Sequence, residues 1–177
     1  FATVLLKNVF ARKRSDYLRR DDKTVINPID MLELANRELL ELHVNKYATM
    51  VVGCLDYEAN TLQYSVAGHL PKPVLMTPGQ IDYLLGEGMP VGLTPEATYG
   101  LEETTLPETF MLVLMSDGVL ETIEEVDLIE REKTLLQRLG GSLEKPGDLI
   151  RRLDLGEVTS DDLADDIAGL FVSRGVG

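Results

Sequence analysis

The chain has 177 residues, of which 44% are apolar, and a formal net charge of −13. That balance argues against a phosphate-tracking nucleic-acid surface and against an anionic membrane as partner. A single cysteine excludes an internal disulfide, and two histidines exclude a multi-histidine metal site.

Length and composition suit one folded domain over 1–177. No apolar run reaches membrane-spanning length. Cys54 falls inside an apolar run and reads as a buried, inert thiol in a reducing, cytoplasmic compartment. The chain opens at Phe1 without an initiator Met or a signal-peptide pattern, and reads as a piece of a longer polypeptide.

Phe1 to about Arg20 is predicted helical, with Phe1, Val4, Leu5, Val9 and Phe10 as its apolar stripe and Arg19 and Arg20 suited to the negative end of the dipole. Asp21-Asp22-Lys23 is a polar break. Asn27 as N-cap, Pro28 at the first position and Asp30 in the first turn predict a second helix, which continues through Leu32, Ala35, Leu39 and Leu42. His43 falls at its frayed end.

From Tyr47 the pattern turns to strand. Ala48 to Leu55 and Leu62 to Ala67, joined by the polar turn Glu58-Ala59-Asn60, predict an antiparallel hairpin. Gly68 to Pro73 interrupts the pattern. Short strands follow at Val74 to Met76 and Ile81 to Leu85, then a loop carrying Gly86, Gly88, Pro90 and Gly92. Leu101 to Leu106 is polar enough for a sheet edge.

Phe110 to Met115 is a run of six apolar residues and predicts a strand buried on both faces. It ends in Ser116-Asp117-Gly118, where glycine allows a sharp turn and leaves room beside the chain. Asp117 is thus a carboxylate at the end of a rigid strand. Leu128 to Leu139 and Pro146 to Leu153 are predicted helices, followed by an acidic loop over Gly156 to Asp162. Asp165-Asp166 then leads into a second buried strand, Ile167 to Val172. The segregated order argues for α+β architecture with antiparallel sheets.

If the strands after Asp166 and before Asp117 are antiparallel neighbours, both acidic groups meet at one edge of a sheet. Such an edge offers the oxygen donors that Mg2+ or Mn2+ prefers. Without a cation the clustered carboxylates would repel and their pKa values would rise. Two unrelated turns with surface acids account for the spacing equally well.

MLVLMSDGVLET around Asp117-Gly118 resembles the TDG(L/V)xE motif of the PPM-type metal-dependent serine/threonine phosphatases, in the bacterial branch typified by RsbU and SpoIIE. Asp165-Asp166-Ile167, with the following strand and Arg174, resembles that branch's terminal DDITLLVLR. Tyr47-Ala48-Thr49 through Leu55-Asp56, and Leu62 through Gly68-His69-Leu70-Pro71, are similar to FATxxxxxLD and LxYxNAGHxPP. Gly88-Met89-Pro90-Val91-Gly92-Leu93 is similar to GxPLGL, and the helix from Asn27-Pro28 to Leu40 resembles the one before the FAT strand. The segments keep the family's order over nearly the whole chain.

The resemblance implies two antiparallel sheets in a sandwich flanked by helices, and a centre of two Mn2+ or Mg2+ ions that delivers water to a phosphoserine or phosphothreonine. Asp117 and Asp165 would be metal ligands, with Gly118 and Asp166 beside them. Asp161-Asp162 is a competing pair that no buried strand follows directly. Gly68 and His69 would fix a loop; His69 as general acid is the other reading. The family's first metal motif, GDxxGHG, is absent from the 177 residues. Ala168 stands where the family has Thr. The implied substrate is a phosphorylated anti-sigma-factor antagonist of STAS type, with a sensor or receiver domain in the parent chain and room for a homodimer. The alternative is an RssB-like adaptor, without catalysis, that binds a stress sigma factor.

Overall fold

The computed structural model describes residues 2–43, 46–140, 143, 145–153 and 166–176. In chain order its elements are α1 (Ala2–Arg20), a 3-10 turn (Lys23–Ile26), α2 (Pro28–Glu41), β1 (Met50–Asp56), β2 (Thr61–Ala67), β3 (Val74–Thr77), β4 (Gln80–Tyr83), β5 (Glu102–Thr105), β6 (Phe110–Met115), α3 (Gly118–Glu121), α4 (Leu128–Leu139), α5 (Pro146–Arg152) and β7 (Gly169–Arg174). They group into two compact units, one of Phe1–His69 with Leu85–Thr105, the other of Leu70–Leu84 with Leu106–Gly177. No helix among the described residues is long and apolar enough to cross a membrane.

The first unit is a three-stranded antiparallel sheet, β1-β2-β5, with α2 against it and α1 packed on α2 and the 3-10 turn. α2 starts where the sequence places it: the Asn27 side-chain oxygen accepts from Ile29 N at 3.1 Å and Asp30 N at 3.3 Å, and Pro28 loses nothing by lacking an N–H there. Its inward stripe, Met31, Leu32, Ala35 and Leu39, packs in one core with Leu6 and Val9 of α1 and Val52 and Ala67 of the sheet. The hairpin runs in register from Met50↔Ala67 to Asp56↔Thr61. Its turn closes because the Asp56 carboxylate accepts from the N–H groups of Glu58 and Ala59, at 2.9 and 2.8 Å. Cys54, expected buried, is half-buried in β1, a strand at the sheet's edge.

Asn36 is a polar side chain, 6% exposed, inside that apolar stripe. Its amide donates to Thr94 O at 3.0 Å and its oxygen accepts from Gly92 N at 2.7 Å. A helix side chain thus satisfies two backbone groups of the glycine-rich loop. Asn36→Ala leaves both unpaired and opens a small cavity, so unfolding in urea is expected to show a loss of about 2–3 kcal/mol.

The second unit is a four-stranded antiparallel sheet in the order β4-β3-β6-β7. β6 pairs with a strand on each side, and its six residues are apolar and almost wholly buried. Met111, Val113 and Met115 alternate onto one face with Val74 and Met76 of β3. There they meet Val119, Leu120 and Ile123, and Leu135, Leu139 and Leu149 of α4 and α5. Asp127 caps α4 by accepting from Ile129 N at 2.9 Å and Glu130 N at 3.3 Å. The Tyr83 hydroxyl donates to Glu132 O at 2.8 Å and ties β4 to α4. Burial pushes that phenol well above its ordinary range, and the Glu132 charge adds to the rise.

Two expectations need correction. The last strand is not buried: β7 begins at Gly169 and lies at the edge of its sheet, with Gly169, Leu170 and Ser173 exposed and Phe171, Val172 and Arg174 half-buried. An apolar run is ambiguous between a central strand and an edge strand, and only the pairing order decides. Gly118 makes no sharp glycine turn. It is buried at the start of α3, and its φ is not among the positive ones.

Candidate metal centre

Asp117 is placed by what flanks it. β6 is anchored through Met115 in the core, and α3 is anchored through Val119 and Leu120 two and three residues later. Asp117 itself has helical angles, φ −60° and ψ −25°, and stands at the N-cap of α3 without a side-chain capping bond. Its backbone carbonyl accepts from Leu120 N at 2.8 Å. The result is an exposed carboxylate on a backbone held on both sides.

The register of β6 with β7 runs from Phe110↔Arg174 to Met115↔Gly169. Because the pairing is antiparallel, the chain leaving β6 and the chain entering β7 share one end of the sheet. Ser116 extends the contact past the last pair. Its N–H donates to Ala168 O at 2.9 Å. Its hydroxyl accepts from Ala168 N at 2.8 Å and donates to Asp166 O at 3.0 Å. Asp117 and Asp166 are therefore brought to the same sheet end, as the sequence reading required of antiparallel neighbours. Asp165 lies outside the described residues, as do Asp161 and Asp162.

The sequence marks Ser116 only in outline, as a lone hydroxyl between an apolar strand and an acid. Spacing alone could not show that it reaches across to another segment.

Gly68 and His69 belong to the first unit. Gly68 closes β2 with φ +63°, and a Cβ there would lie 2.7 Å from Pro90 Cγ. Glycine is needed at that point on both counts. His69 is half-buried directly after it.

The donor chemistry at the sheet end is carboxylate and carbonyl oxygen, which suits a hard divalent cation in kind. In number it falls short: among the described residues no group of three or more His, Cys, Asp or Glu side chains is placed to hold a metal ion.

The sequence profile described as Stage II sporulation protein E (SpoIIE) matches residues 4–175. The chain belongs to the SpoIIE family. Protein IcfG of Synechocystis sp. is 24% identical over 157 residues, which is 86% of this chain and 25% of IcfG. The chain thus spans about a quarter of that relative's length. Three solved structures are similar. The PP2C phosphatase domain of SpoIIE from Bacillus subtilis, with a fragment of its regulatory domain, has a TM-score of 0.70 at 18% identity, over 98% of this chain and 49% of that one. The RsbU and RsbW domains of a Mycobacterium tuberculosis protein give 0.63 at 21%, over 96% and 48%. RsbX in complex with magnesium gives 0.63 at 16%, over 97% and 72%. These likenesses establish the fold as α+β, PP2C-like, with two antiparallel sheets and flanking helices.

Proposed function

We propose that this chain is a divalent-cation-dependent protein serine/threonine phosphatase domain, with Asp117 and Asp165 as cation ligands and Gly118 and Asp166 beside them. The observation that carries the reading is the β6–β7 register, which brings Asp117 and the segment around Asp166 to one sheet end. Membership of the SpoIIE family supports the chemistry. A pair of Mn2+ or Mg2+ ions supplies Lewis-acid stabilisation and an activated water when bound.

The chain's own contribution is to fix carboxylates there. Two or more acids at one sheet end repel a phosphate monoester unless a cation neutralises them, so the same residues select the cation and make substrate binding depend on it. Asp117 is suited to this because both anchors of its backbone lie in the core. Gly68 and His69 serve as a loop support in the first unit. Residues 1–177 act as an output domain, in the cytoplasm, with a sensor or receiver elsewhere in a longer parent.

The substrate class is a phosphoserine or phosphothreonine on a protein, of the anti-sigma-factor-antagonist type. The similarity to the RsbU and RsbW domains of the mycobacterial protein supports a partner-switching role. The test is hydrolysis of a phosphoserine peptide and an aryl phosphate by the full-length protein with Mn2+. Asp165→Asn is expected to lower the rate roughly a hundredfold or more. Full rate in that variant would remove Asp165 from the site. A full-length protein that hydrolyses neither substrate would point to a sigma-factor-binding adaptor instead.

A further inference from the structure

We propose that Ser116 is a positioning residue, whose hydroxyl clasps the segment entering β7 and thereby fixes it relative to Asp117. This rests on the reading of Asp117 as a cation ligand. In an antiparallel ladder every second opposed pair exchanges two backbone hydrogen bonds, and a bond from one partner's N–H to the other's carbonyl marks such a pair. Ser116 and Ala168 are the next opposed pair beyond Met115↔Gly169. Ser116 N does donate to Ala168 O, at 2.9 Å, but the return bond is missing. The Ser116 carbonyl has been turned into the first turn of α3, where it accepts from Val119 N at 3.2 Å. Ala168 N–H has therefore lost its ladder acceptor, and Ser116 Oγ takes its place at 2.8 Å.

The same hydroxyl spends its proton on Asp166 O, at 3.0 Å. One side chain thus accepts from residue 168 and donates to residue 166, which holds the peptide on either side of Ile167. A hydroxyl combines both roles in one atom, which a methyl cannot. The backbone must begin a helix here, so that Asp117 projects from the sheet end, and must still grip the neighbouring strand. Ser116 resolves that conflict. Asp117 is its immediate neighbour, so the clasp joins the two acid-bearing segments by the shortest route. Threonine keeps the same hydroxyl at Cβ, so it can make both bonds.

The experiment uses the full-length protein and reads Mn2+ binding directly, by the electron paramagnetic resonance of free Mn2+, beside phosphatase activity and the melting temperature in EDTA. Ser116→Ala is expected to weaken Mn2+ binding about tenfold or more, as loss of a group that orients a ligand does. Ser116→Thr is expected to retain wild-type affinity. Ala168→Pro deletes the N–H to Oγ bond from the other side and is expected to weaken binding as Ser116→Ala does, which keeps the test decisive should Ser116→Ala fail to fold. A lowered melting temperature in Ser116→Ala with unchanged Mn2+ affinity would overturn the proposal and leave a plain strand clamp. If Asp117→Asn loses Mn2+ binding and neither clasp variant does, only the clasp is wrong. If Asp117→Asn binds Mn2+ as the wild type does, the metal-site reading itself fails.

Discussion

Asp117→Asn in the full-length protein is expected to cut the Mn2+-dependent phosphatase rate by roughly a hundredfold or more while leaving the melting temperature in EDTA unchanged. On the proposed reading of Asp117 as a cation ligand, the rate loss follows from removing a charged oxygen donor, since a bound divalent ion contributes several kcal/mol of transition-state stabilisation and each 1.36 kcal/mol is about tenfold. The unchanged stability follows from the position. Asp117 is exposed, makes no side-chain cap to α3, and its backbone is anchored by Met115, Val119 and Leu120. Asparagine keeps the shape and removes one negative charge from a chain of net −13. An exposed substitution of that kind moves stability by no more than about 0.5 kcal/mol. A variant with full rate would dismiss Asp117 as a ligand. A variant that loses rate and melting temperature together would show that the carboxylate holds the fold, contrary to its exposure.

The features legible in the sequence are those with a local physical cause. Asn27-Pro28 marks the start of α2 because a capping oxygen and a residue without an N–H both fit a helix start. Asp127 marks α4 in the same way, by accepting from the first N–H groups of its own helix. Phe110 to Met115 reads as a buried strand because six consecutive apolar residues leave neither face polar, and its pairing with both β3 and β7 bears that out. The features that escaped depend on partners far along the chain. Asn36 looks like an interruption of an apolar stripe until Gly92 and Thr94, more than fifty positions away, are found to need it. Ser116 binds residues 50 and 52 positions away. The edge position of β7 is a matter of sheet order, which periodicity does not encode. Of the candidate site, the sequence supplies the identity of the acids and the condition under which they meet. The structure supplies that condition for Asp117 and Asp166, through the antiparallel register that ends at Met115↔Gly169.

Gly88→Ala is expected to destabilise the first unit by about 3 kcal/mol or more by urea unfolding. Gly88 does not owe its place to an unusual φ, for it is not among the glycines in the left-handed region. The constraint is distance. A Cβ built on Gly88 would lie 2.3 Å from the carbonyl oxygen of Val66 and 3.2 Å from the Tyr99 ring. Val66 is in the middle strand of the β1-β2-β5 sheet and pairs with Val51, so its carbonyl cannot retreat without disturbing the hairpin. Gly88 also bridges Tyr99, which is 7% exposed in the helix-facing core, so moving the loop outward would break that pairing. Neither side can yield cheaply, and overpacking against backbone costs more than the usual 1–3 kcal/mol of a crowded side chain. Gly147→Ala provides the contrast. Gly147 lies in α5 with nothing within 4 Å of the added methyl. There, in the first turn, alanine is expected to stabilise by up to about 0.5 kcal/mol through helix propensity alone. If Gly88→Ala and Gly147→Ala shift the unfolding midpoint alike, the close approach of the glycine loop to β2 is not what holds this unit together.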